Sequence, residues 1–122
     1  LDPRVGAGFW AGMRDQTSEF FAGDTALWRL SLPSTAPALS LPGPQLIEWG
    51  GAQRWLRGHH DATQLRQAAA SLGGHATLFR GGDRSVGVFQ PLAPAVAALH
   101  SRLKREFDPA GIFNPGRMYP DL

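Results

Sequence analysis

Apolar residues first recur at helical spacing, at Val5, Phe9 and Met13, behind an Asp2-Pro3 start that offers a capping carboxylate and then proline at the first helical position. This predicts a first helix. Gly6, Gly8 and Gly12 each weaken it by up to about 1 kcal/mol relative to alanine, so it depends on packing of Phe9, Trp10, Phe20 and Phe21. From Thr25 to Leu32 the period changes to two, predicting a strand with Trp28, Leu30 and Leu32 on one face and Leu27, Arg29 and Ser31 on the other. Pro33, Pro37, Pro42 and Pro44 then impose an extended connection that cannot donate into a sheet at those points.

Leu46 to Trp49 and Ala52 to Arg57 flank Gly50-Gly51, the pattern of two strands joined by a two-residue turn whose positive φ angles glycine accepts. The implied register sets Trp49 opposite Ala52, Ile47 opposite Arg54 and Leu46 opposite Trp55. One face then carries Ile47, Trp49, Ala52, Arg54 and Leu56, and the other Leu46, Glu48, Gln53 and Trp55. Asp61 with Gln64 forms a capping box for a second helix, with Leu65, Ala68, Ala69 and Leu72 as its buried stripe and Gly73-Gly74 as its stop. His75 to Arg80 is the next strand, Gly81-Gly82-Asp83 a turn, and Val86 to Phe89 a short partner strand. Leu92, Val96, Leu99 and Leu103 mark a third helix ending before Asp108-Pro109. This order predicts an α+β fold, an antiparallel sheet with helices packed on one face.

Composition adds boundaries. At 122 residues and 13.2 kDa, one folded domain keeps roughly 6,400 Å² of surface, enough burial for a core without staples. Cysteine is absent, which excludes disulfides, thiolate zinc sites, iron–sulfur ligation and a cysteine nucleophile in this chain. No apolar run is long enough for a membrane helix. The chain starts at Leu1 without a signal-like segment, which reads as the cut edge of something longer. A pI near 9.9 looks basic, but the net charge is only +2, a weak argument for nucleic acid. The His75 to Arg80 strand also lacks the aromatic pattern of an RNA-recognition sheet.

Self-contained catalytic motifs are missing: there is no dinucleotide or phosphate loop, no zinc-protease helix and no nucleophile elbow. The adjacent His59 and His60 read as a solvated loop rather than a metal pair, so no metal is assigned. His75 follows two glycines that let the backbone approach another surface closely, and reads either as a proton-trading side chain or as an ordinary strand residue. Trp49, Arg54 and Trp55 read either as an arginine that grips a carboxylate between tryptophans, or as hairpin core with a solvated Arg54. The C-terminal run Asp108-Pro109-Ala110-Gly111-Ile112-Phe113-Asn114-Pro115-Gly116-Arg117-Met118-Tyr119 compresses a cap, a glycine stop and an Asn-Pro-Gly turn into a rigid, arginine-bearing end.

That run resembles the C-terminal signature of flavoproteins of the vanillyl-alcohol oxidase type. Within that group Leu27-Trp28-Arg29-Leu30-Ser31-Leu32-Pro33, the hairpin from Leu46 to Leu56 and Gly73-Gly74-His75-Ala76-Thr77 resemble the FAD-binding E subunits of bacterial glycolate oxidases, also called glycolate dehydrogenases. The resemblance implies FAD-dependent oxidation of a small 2-hydroxy acid, glycolate to glyoxylate, in a complex with a second flavoprotein subunit and an iron–sulfur subunit. It implies a cap or substrate domain over residues 1–107 and a tail over 108–122 that returns to an FAD domain not contained in this chain. The chain alone is then expected to be inactive, with no catalytic residue of its own. By the same resemblance, Asn114, Pro115, Gly116 and Arg117 face FAD, and Arg54, Trp49 and His75 face substrate or flavin. A cytoplasmic location follows, with membrane association only through partner subunits. The alternative is a subunit-interaction module that docks through the aromatic face of the hairpin.

Overall fold

A computed structural model describes residues 3–122. Helix α1 spans Pro3–Arg14, and strands β1 (Leu27–Ser31), β2 (Gln45–Glu48) and β3 (Gln53–Arg57) follow. Helix α2 (Ala62–Ser71), strand β4 (His75–Arg80) and helix α3 (Pro94–Phe107) complete the order. The cap expected at Asp2 lies outside the described residues. The strands form one antiparallel sheet in the order β2-β3-β1-β4, the expected α+β arrangement.

The hairpin has the register that its two-residue turn demands, with Ile47 opposite Arg54 and Leu46 opposite Trp55. Gly50 (φ 59°) and Gly51 (φ 96°) are both left-handed, as a type I′ turn requires. Trp49 departs from the expected strand: it takes φ 53° and accepts the Ala52 N–H at 3.1 Å, so the ladder stops at Glu48. Helix α2 begins where the Asp61 carboxylate accepts the Gln64 N–H at 2.7 Å. It ends in a Schellman motif, with Gly73 N–H to Ala70 and Gly74 N–H to Ala69, both at 2.9 Å.

Period-two alternation along β1 divides the interior into two clusters. Trp28, Leu30 and Leu32 pack with Leu56, Ala76 and Leu78 under Ala62, Leu65 and Ala69 of α2. On the opposite face Leu27 and Trp55 meet Phe21, with Met13, Phe20 and Leu46 around them. Trp55 sits edge-on to Phe21 and to Phe79, with centroids 5.4 and 4.9 Å apart. Each fully buried leucine here contributes roughly 2 kcal/mol.

Three expectations are corrected. Phe9 and Trp10 do not hold α1; both are exposed, and only the end of the helix, at Met13, reaches the second cluster. The segment Val86–Phe89 is not a strand, because Gly87 at φ 80° turns the chain after a short helical turn at Arg84–Val86. It still blunts the β4 edge, since Val88 accepts the Leu78 N–H and the Gln90 side chain the Ala76 N–H, both at 2.9 Å. The third correction is to the core. Helix α3 has no buried residue, with Val96, Leu99, Leu103 and Phe107 all exposed. The total surface is 8442 Å², about 2,000 Å² above the scaling value for a compact monomer of this mass.

A Cβ at Gly74 would stand 2.1 Å from the Ser31 carbonyl oxygen, whereas one at Gly6 would meet nothing within 4 Å. Gly74→Ala is therefore expected to destabilise the chain by about 1–3 kcal/mol. Gly6→Ala, in an α1 helix interior, is expected to stabilise it by up to about 1 kcal/mol. Urea unfolding midpoints check both.

Candidate functional site

Two regions carry the residues singled out from the sequence. The first lies at one end of the sheet, where the hairpin and α1 enclose a cleft of about 830 Å³ lined by Phe9, Trp10, Ile47, Trp49 and Trp55, with Glu48 among them. Glu48 Oε1 accepts the Trp55 indole N–H and the Gln53 side-chain amide, both at 2.5 Å. The carboxylate is thus engaged, and the cleft presents mainly apolar surface. Glu48 was not among the sequence candidates, although the hairpin register already set it opposite Gln53 and on the face of Trp55.

Arg54 has neither of the roles left open for it. It is only 4% exposed, and it donates from Nε to the Gly51 carbonyl at 3.1 Å, from Nη1 to Pro37 at 2.5 Å and from Nη2 to Ala36 at 2.5 Å. Its donors clamp the proline-rich loop to the hairpin turn, so the buried guanidinium is a structural tie and is neither solvated nor open to a carboxylate. Trp49 is 78% exposed at the tip of the hairpin. His75 is exposed at the start of β4, paired with Ser31, with Gly74 providing the close backbone approach expected of it. Trp49 and His75 share one end of the sheet but lie three strand positions apart, roughly 14 Å. The structure therefore does not bring Trp49, Arg54 and His75 to one point.

The histidine pair is split as well. His59 is exposed, as a solvated loop predicts, but the Nε2 of His60 is buried beside Gly58 and has no hydrogen-bond partner among the described residues. No group of three metal-ligating side chains occurs among the described residues, and no described helix is long and apolar enough to cross a membrane.

The second region is the tail. Asn114, Arg117, Met118 and Leu122 line a hollow of about 370 Å³ together with Lys104 and Phe113. Asn114 takes φ 49°, Gly116 φ 67°, and Arg117 N–H closes the turn onto the Asn114 carbonyl at 3.2 Å. Gly116 N–H reaches the Leu122 oxygen at 2.6 Å. The Arg117 side chain makes no hydrogen bond among the described residues and is exposed. Behind this turn Asp108 is buried and accepts Ile112 N–H at 3.0 Å, Phe113 N–H at 2.9 Å and Lys104 Nζ at 2.6 Å. The expected cap at Asp108 is thus real, but it serves amides four and five residues on and recruits a lysine from the preceding helical turn. The Lys104 hydrogen bond, aided by the two amides and opposed by burial, holds the Asp108 carboxyl below its ordinary range.

Comparison with known proteins gives first a class: over nearly its whole length the chain is similar to a subunit of an oxidase. The particular relative is glycolate oxidase subunit GlcE of Escherichia coli (strain K12), 48% identical over 118 residues, which is 97% of this chain. The match covers 33% of that protein, so the chain spans about a third of the length of the curated relative it matches. The resemblance carried by the motifs at 27–33, 46–56, 73–77 and 108–119 thus extends along the chain. No family model matches the chain, and no solved structure matches it.

A carboxyl whose pKa is lowered on folding adds stability above its unfolded value, near 3.9, and that contribution is lost as pH falls through the lowered folded value. Amide protection at Ile112 and Phe113 is accordingly expected to be constant from neutrality to about pH 4 and to fall below it. Hydrogen exchange followed by NMR checks this; protection that persists well below that range contradicts it.

Proposed function

We propose that this chain is the cap and C-terminal tail of an FAD-dependent 2-hydroxy-acid oxidoreductase subunit, acting on glycolate as part of a multi-subunit complex. The observation that carries the reading is the 48% identity to the GlcE subunit along 97% of the chain. The open faces agree with it. The apolar stripe of α3, the outer face of α1 and the tail residues Ile112, Phe113 and Met118 are surfaces for the remaining two thirds of such a subunit.

The tail fits a cofactor contact in its donor chemistry. Arg117 offers an unengaged guanidinium and Asn114 a carboxamide beside it on a closed turn, donors suited to the phosphate oxygens and ring carbonyls of FAD. Pro115 and Gly116 fix that turn. When bound, FAD supplies the two-electron acceptance that oxidation of a 2-hydroxy acid requires. The chain's own part is to hold the cofactor through Asn114 and Arg117 and to shield the reaction from water with the sheet. Arg54 serves by clamping the loop, while Trp49 and His75 remain the exposed groups on the substrate side. With no cysteine, this chain offers no thiolate for an iron–sulfur cluster, which in the proposed complex lies outside these 122 residues.

A second reading, a subunit-docking role for the hairpin, is favoured by the exposure of Trp49 and Ile47 beside the aromatic cleft. Trp55 lines the same cleft but is buried in the second cluster, so Trp49 and Ile47 carry the cleft's accessible surface. The two readings separate in the full-length subunit. Asn114→Ala with Arg117→Ala is expected to weaken FAD retention at least about tenfold, or 1.4 kcal/mol, measured as flavin per protein after gel filtration. Trp49→Ala is expected to leave flavin content intact; loss of partner subunits on pull-down from that variant assigns docking to the hairpin. Unchanged flavin in the double variant removes the cofactor contact.

A further inference from the structure

The stretch of the tail that leads into Asn114 is held in place by polar groups, with little help from packing. Ile112 and Phe113 are 68% and 62% exposed, so apolar burial does not fix the backbone that leads into Asn114. Two side chains do. Asp108 ends α3, where its own N–H closes the last turn onto Lys104 O at 2.8 Å, and its carboxylate then receives the Ile112 and Phe113 amides. Lys104 reaches across the same turn, donating from Nζ to Asp108 and to the Phe113 carbonyl oxygen. Both peptide groups of Phe113 are therefore pinned, the N–H by Asp108 and the C=O by Lys104, immediately before the left-handed Asn114. The ammonium also lies at a helix C-terminus, where the dipole favours a cation.

We infer that Lys104 and Asp108 are positioning residues for the cofactor-facing turn, acting through the Phe113 peptide to set the direction of Asn114 and Arg117. This rests on the reading of Asn114 and Arg117 as FAD contacts. Lys104 lines the same hollow but spends its charge on Asp108 and Phe113, which leaves Arg117 as the cation free to meet an anionic group. The pair lies outside both buried clusters, so removing the lysine disturbs the direction of the tail and leaves the sheet intact.

The test uses the full-length subunit with its flavin, comparing Lys104→Met, Lys104→Arg and Asp108→Asn with the Asn114→Ala/Arg117→Ala variant. Flavin release is followed by recovery of FAD fluorescence on dilution, and the sheet by far-UV circular dichroism and the thermal midpoint of the flavin-free protein. Lys104→Met and Asp108→Asn are expected to release flavin at least about tenfold faster while the flavin-free protein keeps its far-UV spectrum, its midpoint falling only by the lost Asp108 tie. Lys104→Arg, which keeps the donor, is expected to restore slow release. Slow release from Lys104→Met and Asp108→Asn, with fast release from the Asn114/Arg117 variant, overturns the positioning role and leaves the cofactor contact standing. Fast release from Lys104→Arg equal to that from Lys104→Met also overturns it. Slow release from every variant overturns the cofactor contact, and the positioning role with it.

Discussion

Strand β1 is the constraint on which the rest of the molecule depends. It pairs on both sides, with β3 and with β4, and its alternating residues set the content of the two interior clusters. Trp28, Leu30 and Leu32 can be buried only because α2 lies across one face, and Leu27 only because the chain after α1 brings Phe21 against the other. Two thin clusters on either side of four short strands use up most of the apolar residues that the domain buries. What remains, the stripe of α3 and the outer face of α1, is left exposed in the described chain. The 8442 Å² surface is the measure of that shortage.

Polar ties do the work that packing does not reach. Arg54 is buried beneath the proline-rich connection and holds its carbonyls, which lets a segment unable to join the sheet stay fixed against it. Lys104 and Asp108 do the same for the tail. In both places a charged side chain is committed to backbone carbonyls. Beside the second tie, the Arg117 side chain stays exposed.

Much of the fold could be read from local pattern. The Gly50-Gly51 turn determines its own register, so Ile47 opposite Arg54 and Leu46 opposite Trp55 followed from spacing alone. Asp61, Gln64 and Gly73-Gly74 delimit α2 by cap chemistry that acts within a few residues. Tertiary choices were hidden. Nothing in the sequence places the Ala36 and Pro37 carbonyls over Arg54, eighteen and seventeen residues away, so the clamp was hidden behind a carboxylate-gripping or a solvated arginine. Apolar periodicity predicted α1 and α3 as helices but is silent on whether their partner surface is in the same chain. At the tail, the Asn-Pro-Gly turn was visible, whereas the lysine behind it was not, although its i,i+4 spacing to Asp108 was the available signal.

The central claim is that the exposed stripes are interior surfaces of a larger subunit, with the sheet as a lid and the tail as a cofactor contact. Hydroxyl-radical footprinting of this chain and of the full-length subunit, compared side by side, tests it most directly. The account predicts strong labelling of Leu99, Leu103, Phe107 and Phe113 in the 122-residue chain and their protection in the full-length protein, with Leu30 and Leu65 protected in both. Equal labelling of the α3 and tail residues in the two proteins would contradict it.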